Sequence, residues 1–378
     1  MEKGTLELKG EFTDTTEITY DPAHRILFSG DERQTISSTA TLGTIELQNP
    51  AGVYSERAFK FAKLITNGYR LIVADEEGIM GYTLTSDETI IGDLYLTIGV
   101  MDLNGYTLTV KGDVILQEGT IDINGGTLIV EGDYRQQFRN RTEEGFTYTE
   151  SEGLLVMSED EDKLQIMGDM ILSPKSEELV GMENGTVILN GTEKQTVSAE
   201  NPFTIKADLQ IVNTSLQGVA LEADITAEGQ VSDLQYKTGG SGCVLISDFG
   251  QLENGRFGGN VELVADCYLE QNVTIHGDLT LSKTLYVETY KVSVDGNLYT
   301  TGAGKLAMDE TEAYVFVKGN VEYATATSSS KCRFADGTME VKGNYTDPNY
   351  TDADENHTLL LSGESLQTVT CNAYLGTL

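Results

Sequence analysis

Tryptophan is absent from the 378 residues of this chain. Strong sugar-stacking platforms often use it, so its absence counts against a broad aromatic glycan face. Histidine occurs only at His24, His276 and His357, and no H-E-x-x-H zinc site, G-x-S-x-G elbow or phosphate loop is present. Basic residues are scarce too: 25 Lys and Arg stand against 60 Asp and Glu, a net charge of −35. Such a surface repels nucleic acid, anionic lipid and polyanionic polysaccharides such as pectin, so none is an expected partner. The acidity suits the solubility of an extracellular module. No run of 18 apolar residues exists, so no membrane insertion is expected.

The four cysteines, Cys243, Cys267, Cys332 and Cys371, lie in the second half and form no C-x-x-C pair. A disulfide framework needed for folding would recur in both halves of a repeated protein. Small buried residues on core-facing strand positions are expected instead. Cys243 and Cys267 are 24 residues apart, close to one coil, so a direct stack fits their spacing and a disulfide there stays open. Helical pattern is nearly missing. Its best example is Ser55 to Ile65, SERAFKFAKLI, where apolar residues fall near helical spacing and predict a short helix or helical loop.

What is present is repetition. Leu108-Thr109-Val110-Lys111-Gly112-Asp113-Val114 returns as Leu128-Ile129-Val130-Glu131-Gly132-Asp133-Tyr134. Twenty residues are too few for a unit with its own core, but they suit one coil of a solenoid. Gly-Asp or Gly-Asn recurs at Gly92, Gly112, Gly132 and Gly168, then at Gly277, Gly296, Gly319 and Gly343. We read the Gly as a φ > 0 corner and the Asp or Asn as turn chemistry bonding the local backbone. The gap between Gly132 and Gly168 is longer. It holds Arg135 to Asp162, a polar stretch read as a side loop or hairpin leaving the solenoid, where binding tends to reside.

A longer period overlies the short one. ILFSGDERQTIS at Ile26–Ser37, VILNGTEKQTVS at Val187–Ser198 and LLLSGESLQTVT at Leu359–Thr370 share one frame, with Gln34, Gln195 and Gln367 aligned. The chain opens and closes inside this repeat, and no signal peptide precedes it, so an excised piece of a longer protein is expected. The pattern predicts an all-β fold, a right-handed parallel β-helix (β-solenoid) with about 20–24 residues per coil, the antiparallel β-sandwich being the runner-up. One continuous solenoid over 1–378 is expected, with 1–40 ending a preceding repeat and copies at 41–200 and 201–378. About 17 coils at the strand spacing of about 4.8 Å would make a rod of about 80 Å.

Chemistry is sparse. His24 and His357 fall at equivalent repeat positions before a strand, which favours a structural role, and His276 is expected at the surface. Stacked Asp93, Asp113 and Asp133 are column-forming, as in β-helical lyases, but no Arg or Lys joins them in a consistent column. Asp347 to Asn356 is the densest run of oxygen ligands and departs from an EF-hand at Asp352 and Thr358. It and Ser158–Asp162 are the places where calcium would bind, and a solvated acidic loop is the plainer reading. Tyr286, Tyr290, Tyr299, Tyr314, Tyr323 and Tyr345 suit a cross-coil ladder better than a sugar-binding face. No catalytic residue, cofactor site or metal ligand set is assigned.

VILNGTEKQTVS, the following DLQIVNTSLQGVALEADITAEG, and LNGYTLTVKGDVILQEGTIDINGGTLIVEGDY together resemble long repeats in giant secreted or cell-surface proteins of Gram-positive anaerobic bacteria. The resemblance covers essentially the whole chain and implies an adhesin-like β-helical stalk. It carries no catalytic residue. The expected function is therefore structural and adhesive, not enzymatic. It would be a rigid extracellular stalk binding a host or microbial glycan or a surface protein through side loops. A carbohydrate-active β-helix enzyme is the alternative.

Overall fold

The computed structural model describes residues 3–55, 60–65, 71–73, 82–84, 86–90, 93–96, 99–142, 145–323, 332–348, 352–372 and 374–378. The protein is all-β, with 50% strand and 3% helix, and its parallel coils form a β-solenoid of about 16 turns. Two compact units divide it, Met1–Asn201 and Pro202–Leu378.

In the first unit, short strands recur once per coil and pair in parallel with the coil before. Gly4–Leu8, His24–Phe28, Thr41–Leu47 and Lys60–Ile65 make one such sheet, in chain order. Further along, Glu88–Ile90, Thr107–Val110, Thr127–Val130, Lys163–Ile166 and Thr186–Leu189 are successive strands of a seven-stranded sheet. Register explains the repetition in sequence. Leu108 pairs with Leu128, Leu128 with Leu164 and Leu164 with Val187, all buried. A parallel ladder also runs Val114, Tyr134, Met170, Val197 on the next face. The third face carries Met101, Ile121 and Leu155. Alternate residues point in and out, so each strand contributes one or two apolar rungs, each worth about 1.5–3 kcal/mol when fully buried.

The second unit has the same plan. Phe203, Ile225, Val244, Val261, Leu279, Leu298, Val321 and Tyr345 form one continuous in-register column of buried side chains. The other faces are built by Arg256–Phe257 through Thr358–Leu361 and by Cys267–Tyr268 through Asp352–Ala353.

Among the described residues the strand pairing is parallel except for one hairpin, which removes the antiparallel sandwich. Asn-Gly pairs mark coil corners: Asn104 and Gly105, and Asn124 and Gly125, take left-handed φ values of 47°, 79°, 44° and 75°. The expected helix at Ser55–Ile65 is not formed where it is described. Lys60–Ile65 is a strand whose backbone pairs with Thr41–Glu46, and tertiary pairing overrides the local pattern. Residues 56–59 lie outside the described residues. The stack of Cys243 on Cys267 is also corrected. Cys243 pairs in register with Asn260, and Cys267 lies on another face beside Leu285. All four thiols are free; Cys267 and Cys332 are buried, whereas Cys243 and Cys371 are half-buried.

Candidate functional site: a hairpin and its cleft

The Gly-Asp and Gly-Asn marks stack at one corner of successive coils, and their role is inter-coil. The backbone N–H of Asp113 donates to Asp93 Oδ1 at 3.0 Å, that of Asp133 to Asp113 Oδ1 at 2.8 Å, and that of Asp169 to Asp133 Oδ1 at 2.8 Å. The second unit repeats this through Asn260, Asp278, Asn297, Asn320 and Asn344, at 2.7–2.9 Å. Each carboxylate or amide oxygen thus caps the next coil rather than its own turn. The expectation of positive φ at these glycines is corrected as well: Gly112, Gly132, Gly168, Gly277, Gly296, Gly319 and Gly343 are not among the left-handed residues. Glycine is required because the coils touch. A Cβ on Gly132 would lie 2.6 Å from the carbonyl carbon of Gly112.

The signature glutamines are staples. Gln195 Oε1 accepts the Gly191 N–H at 2.8 Å, while Nε2 donates to the carbonyls of Ile166 and Gly168 at 2.9 and 2.7 Å. Gln34 binds Gly30, Leu8 and Gly10 in the same way, and Gln367 binds Gly363, Val341 and Gly343. One amide therefore locks its own turn to the preceding coil at its Gly-Asp corner. The pattern that unites the three signatures is structural.

The departure from this regularity is the excursion after Gly132. Phe138–Thr142 and Gly145–Thr149 form an antiparallel hairpin, with Phe138 opposite Thr149 and Thr142 opposite Gly145. The side loop or hairpin expected there is a hairpin. It lies over the outer side of a sheet. Ile115 points outward in register with Tyr95 and Arg135, yet only 2% of it is exposed. Arginines fasten the hairpin. The Arg139 N–H donates to Gln117 Oε1 at 2.9 Å, and its guanidinium donates to the Tyr95 hydroxyl at 2.6 Å while resting 4.1 Å from that ring's centroid. Arg135 bonds Asp133 at 2.6 Å and lies 5.4 Å from the Tyr148 ring centroid. Arg135 also approaches Asp113 at 3.9 Å, so one arginine does meet the aspartate column. Burial, with Asp133 and Asp93 adding repulsion, raises the Asp113 pKa, and Arg135 opposes this.

Beside the hairpin opens a cleft of about 500 Å³, lined by Phe138, Tyr148, Thr149, Glu118, Glu150, Glu152, Lys175 and Glu200. Two aromatic rings and four carboxylates meet one ammonium, and Lys175 is ion-paired with Glu152. That hydrogen bond pushes the Lys175 pKa up and keeps it charged. The arrangement offers ring faces and acceptor oxygens, which suits recognition of hydroxyl-bearing or cationic groups.

The remaining candidates fall elsewhere. His24 and His357 are both buried and stack on Tyr20 and Phe334 at 5.3 and 4.7 Å. Burial lowers the His357 pKa, which favours the neutral ring. His276 is half-exposed and its Nδ1 lies 2.7 Å from Asp295. Part of the acidic run at 347–356, residues 349–351, lies outside the described residues. In Ser158–Asp162, Asp162 is buried and accepts the N–H groups of Gly125, Ser158 and Glu159. Among the described residues no group of three or more His, Cys, Asp or Glu is placed to hold a metal ion. Tyr323 and Tyr345 meet edge-on inside the core, 5.8 Å apart. The exposed Tyr268, missed in the sequence, stacks on Tyr286. Its signal was the spacing of 18 residues between two outward strand positions.

No family model, curated protein or solved structure matches this chain. No helix among the described residues is long and apolar enough to cross a membrane.

Proposed function

We propose that this chain is a structural and adhesive repeat region of an exported bacterial surface protein. The solenoid serves as a rigid extracellular scaffold, and the hairpin with its cleft engages a glycan or a surface protein. The observation that carries this reading is the Phe138–Thr149 hairpin. It is fastened to its sheet through Arg139 and walls a 500 Å³ cleft on an otherwise repetitive surface. Rigidity supports it as well, since Asp, Asn and Gln side chains bridge coil to coil. A fixed scaffold presents a loop without an ordering cost at the moment of binding.

Co-sedimentation with insoluble polysaccharides and with protein-coated beads tests the reading. Saturable retention of the chain is expected. It should be lost when Phe138–Thr149 is replaced by a short Gly-Ser linker and weakened by Arg139→Ala. Retention that ignores both changes would sink the role of the cleft. Release of soluble sugar during incubation would favour a carbohydrate-active enzyme instead.

A further inference from the structure

A second surface, in the Pro202–Leu378 unit and separate from the hairpin, has the make-up of a ligand platform. Tyr268 and Tyr286 occupy in-register outward positions on the adjacent strands Cys267–Tyr268 and Thr284–Tyr286. Their ring planes are parallel within 3° and stacked, with centroids 4.0 Å apart. Tyr268 is 58% exposed, unusual for so large an apolar ring. Its strand is the first of its sheet, so among the described residues no strand of that sheet covers the far side. There the chain makes short 3₁₀ turns at Phe249–Gln251 and Glu253–Gly255, with Gly250 exposed. The hydrogen bond with Tyr286 and burial raise the Tyr268 pKa, and the carboxylates of Glu288 and Asp266 lie near enough to add to the rise. Asp266, two residues before Tyr268, accepts the Thr284 N–H at 2.7 Å. That backbone hydrogen bond holds the Asp266 carboxyl below its ordinary range and keeps it an acceptor.

We propose that the Tyr268 ring, backed by Tyr286, is a stacking platform for a pyranose ring of a neutral polysaccharide, with Asp266 accepting a sugar hydroxyl. The charge chooses the ligand. At a net −35, uronic-acid polymers and nucleic acid are repelled, whereas a neutral chain meets no such barrier. The size argues the same way. Two rings fall far short of the roughly 800 Å² per side of a stable protein interface, whereas a single sugar ring covers one aromatic face. Because both tyrosines stand on paired strands, the platform is preformed.

Native-gel affinity electrophoresis tests this with the whole chain, in gels containing a soluble β-glucan, a xylan or a galactomannan, and polygalacturonate as the anionic comparison. Retardation by at least one neutral polymer and none by polygalacturonate is expected. Tyr268→Ala should weaken it about tenfold, Tyr286→Ala less, and Tyr268→Phe should retain it because the ring remains. A thermal melt establishes that each variant is folded. No retardation by any neutral polymer, or retardation unchanged in folded Tyr268→Ala, overturns the proposal. Retardation that survives the hairpin replacement but fails in Tyr268→Ala supports this platform independently of the cleft. The reverse result overturns the platform and leaves the cleft.

Discussion

The two units solve the same corner with different chemistry. In the first, the column that caps successive coils is Asp93, Asp113, Asp133 and Asp169; in the second it is Asn260, Asp278, Asn297, Asn320 and Asn344. The hydrogen-bond lengths overlap, 2.7–3.0 Å against 2.7–2.9 Å. The corner therefore asks for one sp² oxygen at a fixed reach, and charge is optional. Where the charge is kept, like charges stack one coil apart and a counter-ion is needed; Arg135 supplies it at Asp113 and Asp133. Where amides replace it, the side chain can also donate along the column, as Asn297 Nδ2 does to Asp278 Oδ1 at 3.0 Å.

The largest expected effect breaks both columns alike. Gly132→Ala and Gly296→Ala each place a methyl about 2.6 Å from the preceding coil's backbone, so each should destabilise its unit by about 2–3 kcal/mol. Urea unfolding measures this. A near-neutral result in either would mean that the coils are not in contact at that corner.

Next, the staples separate the units by burial. Gln195→Ala leaves the Gly191 N–H and two carbonyls without their amide partner in a site 1% exposed, so a loss of roughly 2 kcal/mol is expected. Gln367 is half-buried and water can replace it, so Gln367→Ala should cost less than half as much in the same urea assay. Equal losses would deny that burial sets the difference.

A smaller effect sharpens the core. The Tyr134 hydroxyl is fully buried without a hydrogen-bond partner among the described residues, and burial raises its pKa. Tyr134→Phe should raise stability by about 1 kcal/mol, read as a higher melting temperature. A drop would reveal a buried water bound to that hydroxyl.

The smallest effect concerns charge. The Asp113 pKa is raised in the fold, so the folded chain holds this proton more tightly than the unfolded one. Its ionisation therefore opposes folding above the raised pKa, and the penalty fades as pH falls toward the ordinary value of 3.8. Asp113→Asn should raise the urea midpoint modestly at pH 7 and give no gain near pH 4. A gain independent of pH would remove charge as the cause.

Much of the fold is legible in the sequence. The phrase shared by Leu108–Val114 and Leu128–Tyr134 marks one coil because parallel in-register stacking puts like residue on like residue. The 36-residue gap from Gly132 to Gly168 told of an excursion, and the hairpin fills it. The readings that failed did so for one reason: a neighbour distant in sequence decided them. The corner glycines answer to the preceding coil rather than to their own φ. Lys60–Ile65 answers to the open edge of Thr41–Leu47. Cys243 finds Asn260, 17 residues on, because coil length there is shorter than the 24 residues that separate it from Cys267.

Sequence alone determined the all-β class, the parallel coil and its repeat, because those depend on local alternation and on period, both of which are written along the chain. Tertiary structure alone decided what the repeated polar residues do. A Gln or an Asp can bond its own turn or the coil below, and only the placement of that coil, about 4.8 Å away, selects between them. The same holds for the cleft and the tyrosine pair. Glu118, Tyr148 and Glu200 are far apart in the chain, and Tyr268 and Tyr286 become one surface only when successive coils bring their strands into register.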